Sequence, residues 1–332
     1  MSDLVSQIQD LYNFKDIKLD KLDEGFVGLN HILYHSGDKY FFKMIPIRHL
    51  SDESRIQEIC SVYDLMCEND IPVELPIPNI SGQKYSLIGD TFCMLFKMVE
   101  GTKFENLEPH TIQNAFDSSA QNLANIHLAG SKLPLLNIKK SGAKKIENSF
   151  LEKLDEIEQI IKVKSTLDSL DVDSLELIKW KRILFAKGLF IIPEEKKTTI
   201  IHGDFHRENL LFDTEGNITK IFDWDATVIS ANSWEVVYAM MKVCFYDKFE
   251  NYDTNIAKAF LSQYSNIFPF SAQDLRDGFH YWMSWECLFI WSLRNHYLHN
   301  QSIPERFIIA GTAKLKFLSE NLDDLLSDLS SF

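Results

Sequence analysis

The sequence predicts an α+β fold, with a small antiparallel-sheet lobe at the N-terminus and a larger, mainly helical lobe behind it. Three observations carry this reading. The first hundred residues hold short apolar runs broken by turns, Ile32 to Tyr34, Lys39 to Ile45 and Thr91 to Phe96, rich in the aromatic and β-branched residues that suit strands. From Ser131 to Thr198, and again from Ser271 to Asn300, apolar residues recur at helical spacing instead. Between those stretches, Asn209 to Phe212 and Lys220 to Phe222 flank the turn-rich Asp213-Thr-Glu-Gly216-Asn217, which reads as a β-hairpin.

Taken in order, Glu24-Gly25-Phe26-Val27-Gly28-Leu29-Asn30-His31 is a glycine-bearing link into the strand Ile32 to Tyr34. Ser36-Gly37-Asp38 is a turn, and Lys43 then sits inside an aromatic strand. Ser51 to Ser54 starts a helix in which Ile56, Ile59, Val62, Tyr63 and Met66 recur through Asn69. A turn-rich stretch from Ile71 to Gly82 leads to the buried strand Thr91 to Phe96, which ends at Lys97-Met-Val99-Glu100-Gly101. These boundaries divide the chain into an N-terminal lobe over 1–96, a hinge over 97–101 and a C-terminal lobe over 102–332.

In the C-terminal lobe, Lys144 to Lys164 repeats Ile146, Phe150, Leu151, Leu154, Ile157 and Ile161 at amphipathic spacing. Ser271 to Asn300 reads as a long helix or helix pair, with Trp282, Trp285 and Phe289 on one face. Such a stripe can stack on a sugar or box a quaternary ammonium with Glu286 beside it. Its bland reading is a helix packed into the core.

The chemistry is concentrated in Ile201-His202-Gly203-Asp204-Phe205-His206-Arg207-Glu208-Asn209 and Ile221-Phe222-Asp223-Trp224-Asp225. Asp204 and Asn209 stand five residues apart, the interval of a protein-kinase catalytic loop. There an Asp carboxylate accepts a hydrogen bond from the attacking hydroxyl, and an Asn oxygen five residues on reaches magnesium. The hairpin returns Asp223 beside Asn209, where a carboxylate is a hard oxygen ligand suited to magnesium on nucleotide phosphates. Taken singly, these residues are ordinary turn formers; their ordered spacing is what points to kinase chemistry.

A site of this kind calls for a glycine loop, a strand lysine and a helix glutamate upstream. Gly25 and Gly28 can bring backbone N–H groups close to phosphates, and Lys43 can reach the α- and β-phosphates. Glu58, fifteen residues past Lys43, is placed to aim that lysine; Glu53 is the competing choice. At the hinge, an adenine ring would bond to the Lys97 carbonyl and the Val99 N–H, with Phe96 setting the depth.

Taken together, Gly25 to Asn30, Lys43, Glu58, Val99-Glu100-Gly101, Leu123-Ala-Asn-Ile-His127, His202-Gly203-Asp204 to Asn209 and Asp223 resemble the aminoglycoside phosphotransferase and choline kinase superfamily over residues 20 to 245. Homoserine kinases are similar too, particularly in Ile126-His127-Leu128-Ala129-Gly130. The resemblance implies a two-lobed, protein-kinase-like fold that phosphorylates small molecules. It implies Asp204 as catalytic base, Asn209 and Asp223 as magnesium ligands, Lys43 as phosphate anchor and Glu58 as its partner. Asp225 would touch metal or substrate, or organise the loop; Arg207 would touch phosphate or lie in solvent. Glu235 stands where many relatives carry an Asp and reads as structural. No Ala-Pro-Glu segment follows Asp223, which disfavours a protein kinase.

Composition narrows the reading further. A formal charge of −14 disfavours a nucleic-acid partner and is compatible with a cationic acceptor. No apolar run approaches a bilayer span, and Met-Ser-Asp-Leu-Val-Ser-Gln is no secretory signal, so cytoplasm and no membrane partner are expected. Cys60, Cys67, Cys93, Cys244 and Cys287 are scattered without a C-x-x-C, as buried free thiols are. His296 and His299 have no further ligands nearby in sequence, so the expected metal is magnesium carried with ATP, GTP being the alternative nucleotide. The expectation is phosphorylation of a hydroxyl on an aminoglycoside-like or amino-alcohol acceptor. A homoserine or sugar acceptor, or a nucleotide-binding regulatory module without chemistry, are the alternatives.

Overall fold

The computed structural model describes residues 2–22, 30–50, 52–132, 149–187, 198–246, 252–302 and 305–332. Gly25 and Gly28 lie outside these, as does the start of the helical stretch expected from Lys144. The described residues fall into two compact units, neither continuous in sequence. One holds the chain up to Ala115 together with Glu208–Thr227; the other holds Phe116–Ser131 and most of the remainder.

The first unit is built on a five-stranded antiparallel sheet. Its strands are β1 (Lys18–Lys21), β2 (His31–His35), β3 (Asp38–Pro46), β4 (Ser86–Ile88) and β5 (Thr91–Lys97), in spatial order β1-β2-β3-β5-β4. Phe42 and Met44 of β3 pack with Cys93 and Leu95 of β5 and with Ile8 and Tyr12 of the first helix, α1 (Ser2–Tyr12). Because strand side chains alternate, Phe41 and Lys43 face the other side. Phe41 pairs with Phe96 and Lys43 with Met94 across the ladder. On that side Tyr63 packs 5.6 Å from Phe96. Tyr63 belongs to α3 (Glu53–Glu68), which follows the single-turn α2 (Ile47–Leu50) and is capped where the Asp52 carboxylate accepts the Ser54 N–H.

The same unit contains the predicted hairpin, β7 (Leu210–Phe212) against β8 (Ile218–Ile221). Its turn is closed by Asp213, whose Oδ1 accepts from the amides of Glu215 and Asn217. Gly216 is required there, at φ +86°, with room for a Cβ denied by the Thr111 carbonyl at 2.6 Å. The hairpin is clasped on both sides, Thr102 exchanging two backbone bonds with Phe212 while the Ile221 N–H donates to Pro72.

In the second unit, a two-stranded ladder of β6 (Thr198–Ile201) and β9 (Val228–Ala231) accompanies most of α4 (Ile112–Ser131) and seven further helices among the described residues. These are α5 (Ser149–Lys162), α6 (Ser169–Ala186), α7 (Asn232–Met240), α8 (Thr254–Ser265), α9 (Ala272–Leu288), α10 (Trp291–Tyr297) and α11 (Arg306–Asp328). The amphipathic face of α5 is as expected, with Phe150, Leu154, Ile157 and Ile161 buried. The aromatic stretch from Ser271 is a helix pair, opened by a capping box between Ser271 and Asp274. Helices α7 and α9 approach so closely at Gly278 that a Cβ there would stand 2.3 Å from the Ser233 carbonyl. No described helix is long and apolar enough to cross a membrane.

Candidate active site

In the first unit, Lys43 projects from β3 into a largely buried setting and makes two ion pairs, 2.6 Å to Asp223 Oδ1 and 2.8 Å to Asp225 Oδ2. Asp223 follows β8 in the left-handed region, φ 62° and ψ 61°, a conformation uncommon outside glycine that Asp and Asn tolerate best. The Phe222 N–H donates to the Asn209 carbonyl at 2.9 Å, so the hairpin brings the Asp223 backbone back beside Asn209 as its spacing predicted. Downstream, the Trp224 indole donates to Ile221 O at 3.1 Å, and its ring lies 6.3 Å from Tyr63.

The electrostatics here are unbalanced. Burial pulls the Lys43 ammonium down, but Asp225 and Asp223 outweigh it and hold the lysine charged well above its ordinary range. Burial pushes the Asp225 carboxyl up; Lys43 opposes this, Asp223 reinforces it, and the net shift is upward. Arg55 adds a weaker opposing charge to Asp225. One of the oxygens, Asp225 Oδ1, is buried without a hydrogen-bond partner, which a buried carboxylate rarely tolerates.

That orphaned oxygen, beside a second carboxylate, fits a divalent cation. Among the described residues no three His, Cys, Asp or Glu side chains gather into a self-sufficient metal site. Magnesium does not need one, since it binds through one or two carboxylates plus water and nucleotide phosphates. Asp223, Asn209 and Asp225 are the oxygen donors this unit offers it.

Glu58 is not the partner of Lys43. It accepts from Arg55 at 3.0 Å, one turn back on α3, while Glu53 accepts from the Tyr85 hydroxyl at 2.8 Å. Arg55, absent from the sequence reading, also donates to the Asp225 carbonyl at 2.9 Å and to the Thr227 carbonyl. At the end of the sheet, Lys97 closes β5 opposite Tyr40, and its ammonium lies 3.8 Å from Asp38. Val99 and Glu100 follow outside any helix or strand, with the adjacent Met98 N–H donating to Lys39 O.

In the second unit, Asp204 is held on both oxygens. The Tyr238 hydroxyl donates to Oδ1 at 2.7 Å, and His206 Nε2 lies 3.3 Å from Oδ2. Burial alone would raise this carboxyl; the bond and charge of His206, the Tyr238 hydroxyl and the charge of His202 outweigh it and hold Asp204 far below the ordinary carboxylate range. Asp204 is therefore ionised throughout the neutral range.

The loop carrying Asp204 is pinned from beneath by Glu235, fully buried on α7. Its carboxylate accepts the backbone N–H groups of His202 and Gly203 and lies 2.8 Å from His127 Nε2. His127 is held in turn by the Tyr264 hydroxyl at 2.7 Å. Gly203 adopts φ +84°, the left-handed conformation that a glycine takes without penalty. Arg207 neither lies in solvent nor points a free fork at phosphate. Its guanidinium donates to the carbonyls of Val243 and Cys244, closing the π-helical turn Met241–Phe245.

Sequence reasoning missed Tyr238, His206 and Arg55. The signal was available for two of them: Tyr238 lies three residues past Glu235 on α7, and Arg55 three before Glu58 on α3, the spacing that shares a helix face. The aromatic stripe divides. Trp282 is fully buried and donates to Glu286, which Lys314 also holds at 2.5 Å. Trp285 stacks on Phe289 at 4.4 Å, lies 6.0 Å from Trp234, and Trp234 stacks on Tyr238 at 5.3 Å. A row of rings thus runs from the tyrosine on Asp204 to the half-exposed Trp285 and exposed Phe289.

Among solved structures, an amicoumacin kinase in complex with AMP-PNP and Ca2+ matches with a TM-score of 0.68 and 15% identity, over 96% of this chain and 93% of that one. A spectinomycin phosphotransferase in complex with ADP and spectinomycin gives 0.67 and 15%, over 96% and 98%. A microcompartment-associated aminopropanol kinase gives 0.64 and 14%, over 99% of both chains. The fold expected from the sequence is the fold these kinases share. The sequence pattern of one family matches residues 26–273, a span that takes in Lys43, the Asp204 loop and Asp223, and the chain belongs to that phosphotransferase enzyme family.

Proposed function

We propose that the protein transfers the γ-phosphoryl group of ATP, with magnesium, to a hydroxyl of a small amino-bearing acceptor. The observation that carries this reading is the pairing of Lys43 with two carboxylates, one of which keeps a buried oxygen unpartnered. A lysine held charged at this place anchors nucleotide phosphates. Magnesium bound through Asp223, Asn209 and Asp225 would supply charge neutralisation on the transferring phosphates.

Asp204, ionised and held by Tyr238 and His206, accepts the hydrogen bond of the acceptor hydroxyl and orients its oxygen. A carboxylate is a weak base toward an alcohol. Its part is first alignment, and it takes the hydroxyl proton as the phosphoryl group arrives, in keeping with a loose transition state in which positioning and electrostatics dominate. Lys97 and Val99 would present hinge backbone to the adenine ring.

Structural relatives are named for amicoumacin, spectinomycin and aminopropanol, which favours an amino-alcohol or aminoglycoside-like acceptor over homoserine or a simple sugar. The test is magnesium-dependent ADP release by purified protein against pooled amino alcohols, aminoglycosides, homoserine and sugars, run with ATP and with GTP. Stimulation by an amino-bearing pool is expected. Stimulation by homoserine or sugars alone would replace the acceptor class, and nucleotide binding without release in any pool would replace the enzyme with a regulatory module.

A further inference from the structure

We propose that Arg55 is a positioning residue for the metal-bearing loop, acting from α3 through the carbonyls of Asp225 and Thr227. The proposal rests on the phosphotransfer reading above, because it assigns the loop's purpose to nucleotide-bound magnesium.

Arg55 is nearly buried, its side chain 7% exposed. Burying a guanidinium costs several kcal/mol unless its donors are well matched, and an apolar residue would fill the same space more cheaply. Its donors are matched to a purpose. One nitrogen takes Glu58 at 3.0 Å, and the other takes both the Asp225 and the Thr227 carbonyls. Those carbonyls lie in the middle and at the end of the short turn Trp224–Ala226, which begins at the left-handed Asp223.

A non-glycine residue in that conformation persists only when its surroundings over-determine it. Upstream, Trp224 anchors the turn through its indole to Ile221 and through its backbone to the Tyr63 hydroxyl; further along, Arg55 holds the Asp225 and Thr227 carbonyls. Lys43 binds both side-chain carboxylates but touches none of this backbone. Arg55 therefore helps set where Asp223 and Asp225 stand, and Glu58 holds Arg55. The helix glutamate that the sequence assigned to the lysine thus reaches the phosphate site through the loop.

The test is equilibrium binding of N-methylanthraniloyl-ATP as magnesium is varied, compared with binding in EDTA, for wild type, Arg55→Met, Arg55→Lys and Glu58→Gln. Thermal unfolding of each variant is measured alongside. Arg55→Met should raise the magnesium concentration for half-maximal binding at least tenfold while changing metal-free affinity less than twofold. Arg55→Lys, a point charge without the fork, should fall between it and wild type, and Glu58→Gln should shift the requirement about threefold in the same direction. If Arg55→Met fails to fold, Glu58→Gln, which keeps the side-chain volume, still decides. Folded variants with an unchanged magnesium requirement, or with metal-free affinity lost in equal measure, would overturn the proposal. Wild-type binding indifferent to magnesium would instead remove the phosphotransfer reading, and this role with it.

Discussion

The two carboxylate sites differ in how completely the protein satisfies them. Around Asp204 every demand is met: both oxygens have donors, and the loop beneath is pinned by Glu235 and His127. Around Lys43 one demand stays open, the buried Asp225 Oδ1 beside the two ion pairs. The first site is built to hold one geometry. The second leaves room for the cation proposed above, since a buried carboxylate oxygen is seldom left without a partner.

The largest effect should come from undoing the satisfied site at its root. Glu235→Ala leaves two backbone N–H groups and the His127 ring without their acceptor inside the core. We expect a loss of about 3 kcal/mol or more, read as a fall in unfolding midpoint together with near loss of turnover. If turnover survived in folded protein, the pinned loop would not be what sets Asp204.

Next in size is Gly278→Ala. A methyl group meeting the Ser233 backbone must push α7 and α9 apart, which costs about 1–3 kcal/mol. Because α7 carries Glu235 and Tyr238, turnover should fall with stability while metal-free nucleotide binding stays. Unchanged stability would show that the helices separate freely.

Asp225→Asn sharpens the comparison most, because the two sites predict opposite signs. Removing the Asp225 carboxylate, whose charge burial and Asp223 disfavour, should stabilise metal-free protein slightly while impairing magnesium-dependent nucleotide binding. Asp225 is raised in the folded state, so its charge destabilises at neutral pH and is relieved as acid protonates it. The gain from Asp225→Asn should therefore shrink as pH falls. Asp204 is depressed, so its contribution is full above the ordinary carboxylate pKa of about 4 and is lost as pH falls below that. Asp204→Asn should accordingly cost stability at neutral pH and cost less in acid. Equal slopes for the two variants would refute the contrast.

The smallest effect on turnover is that of Tyr238→Phe, which removes one donor from Asp204. A hydrogen bond to a charged group is worth about 1.5–3 kcal/mol when buried, and the remaining His206 contact softens the loss, so turnover should fall about tenfold or less. A kinetic titration that found only the acceptor KM changed would place the tyrosine on the acceptor instead.

Much of this was legible along the chain. The hairpin, its turn at Asp213 to Asn217 and the return of Asp223 toward Asn209 all follow from local spacing and turn chemistry, which sequence carries directly. The strand face of Lys43 was legible too, since alternation fixes it once the strand is known. What could not be read were contacts between distant segments. Nothing near Arg55 in sequence says that its guanidinium meets carbonyls 170 residues on, and fifteen residues of spacing suggested a Lys43–Glu58 pair that the side chains do not make. The aromatic stripe shows the same limit. Helical periodicity put Trp282, Trp285 and Phe289 together, but only packing separates the buried Trp282 from the half-exposed pair.

The central claim is that Asp204 aligns an acceptor hydroxyl without holding the nucleotide. It is tested most directly by Asp204→Ala, measured for acceptor-dependent ADP release and for N-methylanthraniloyl-ATP binding in the same magnesium buffer. Turnover should fall at least a thousandfold, about 4 kcal/mol of transition-state stabilisation, with nucleotide affinity within about twofold of wild type. Full turnover, or nucleotide affinity lost in step with turnover, would contradict it.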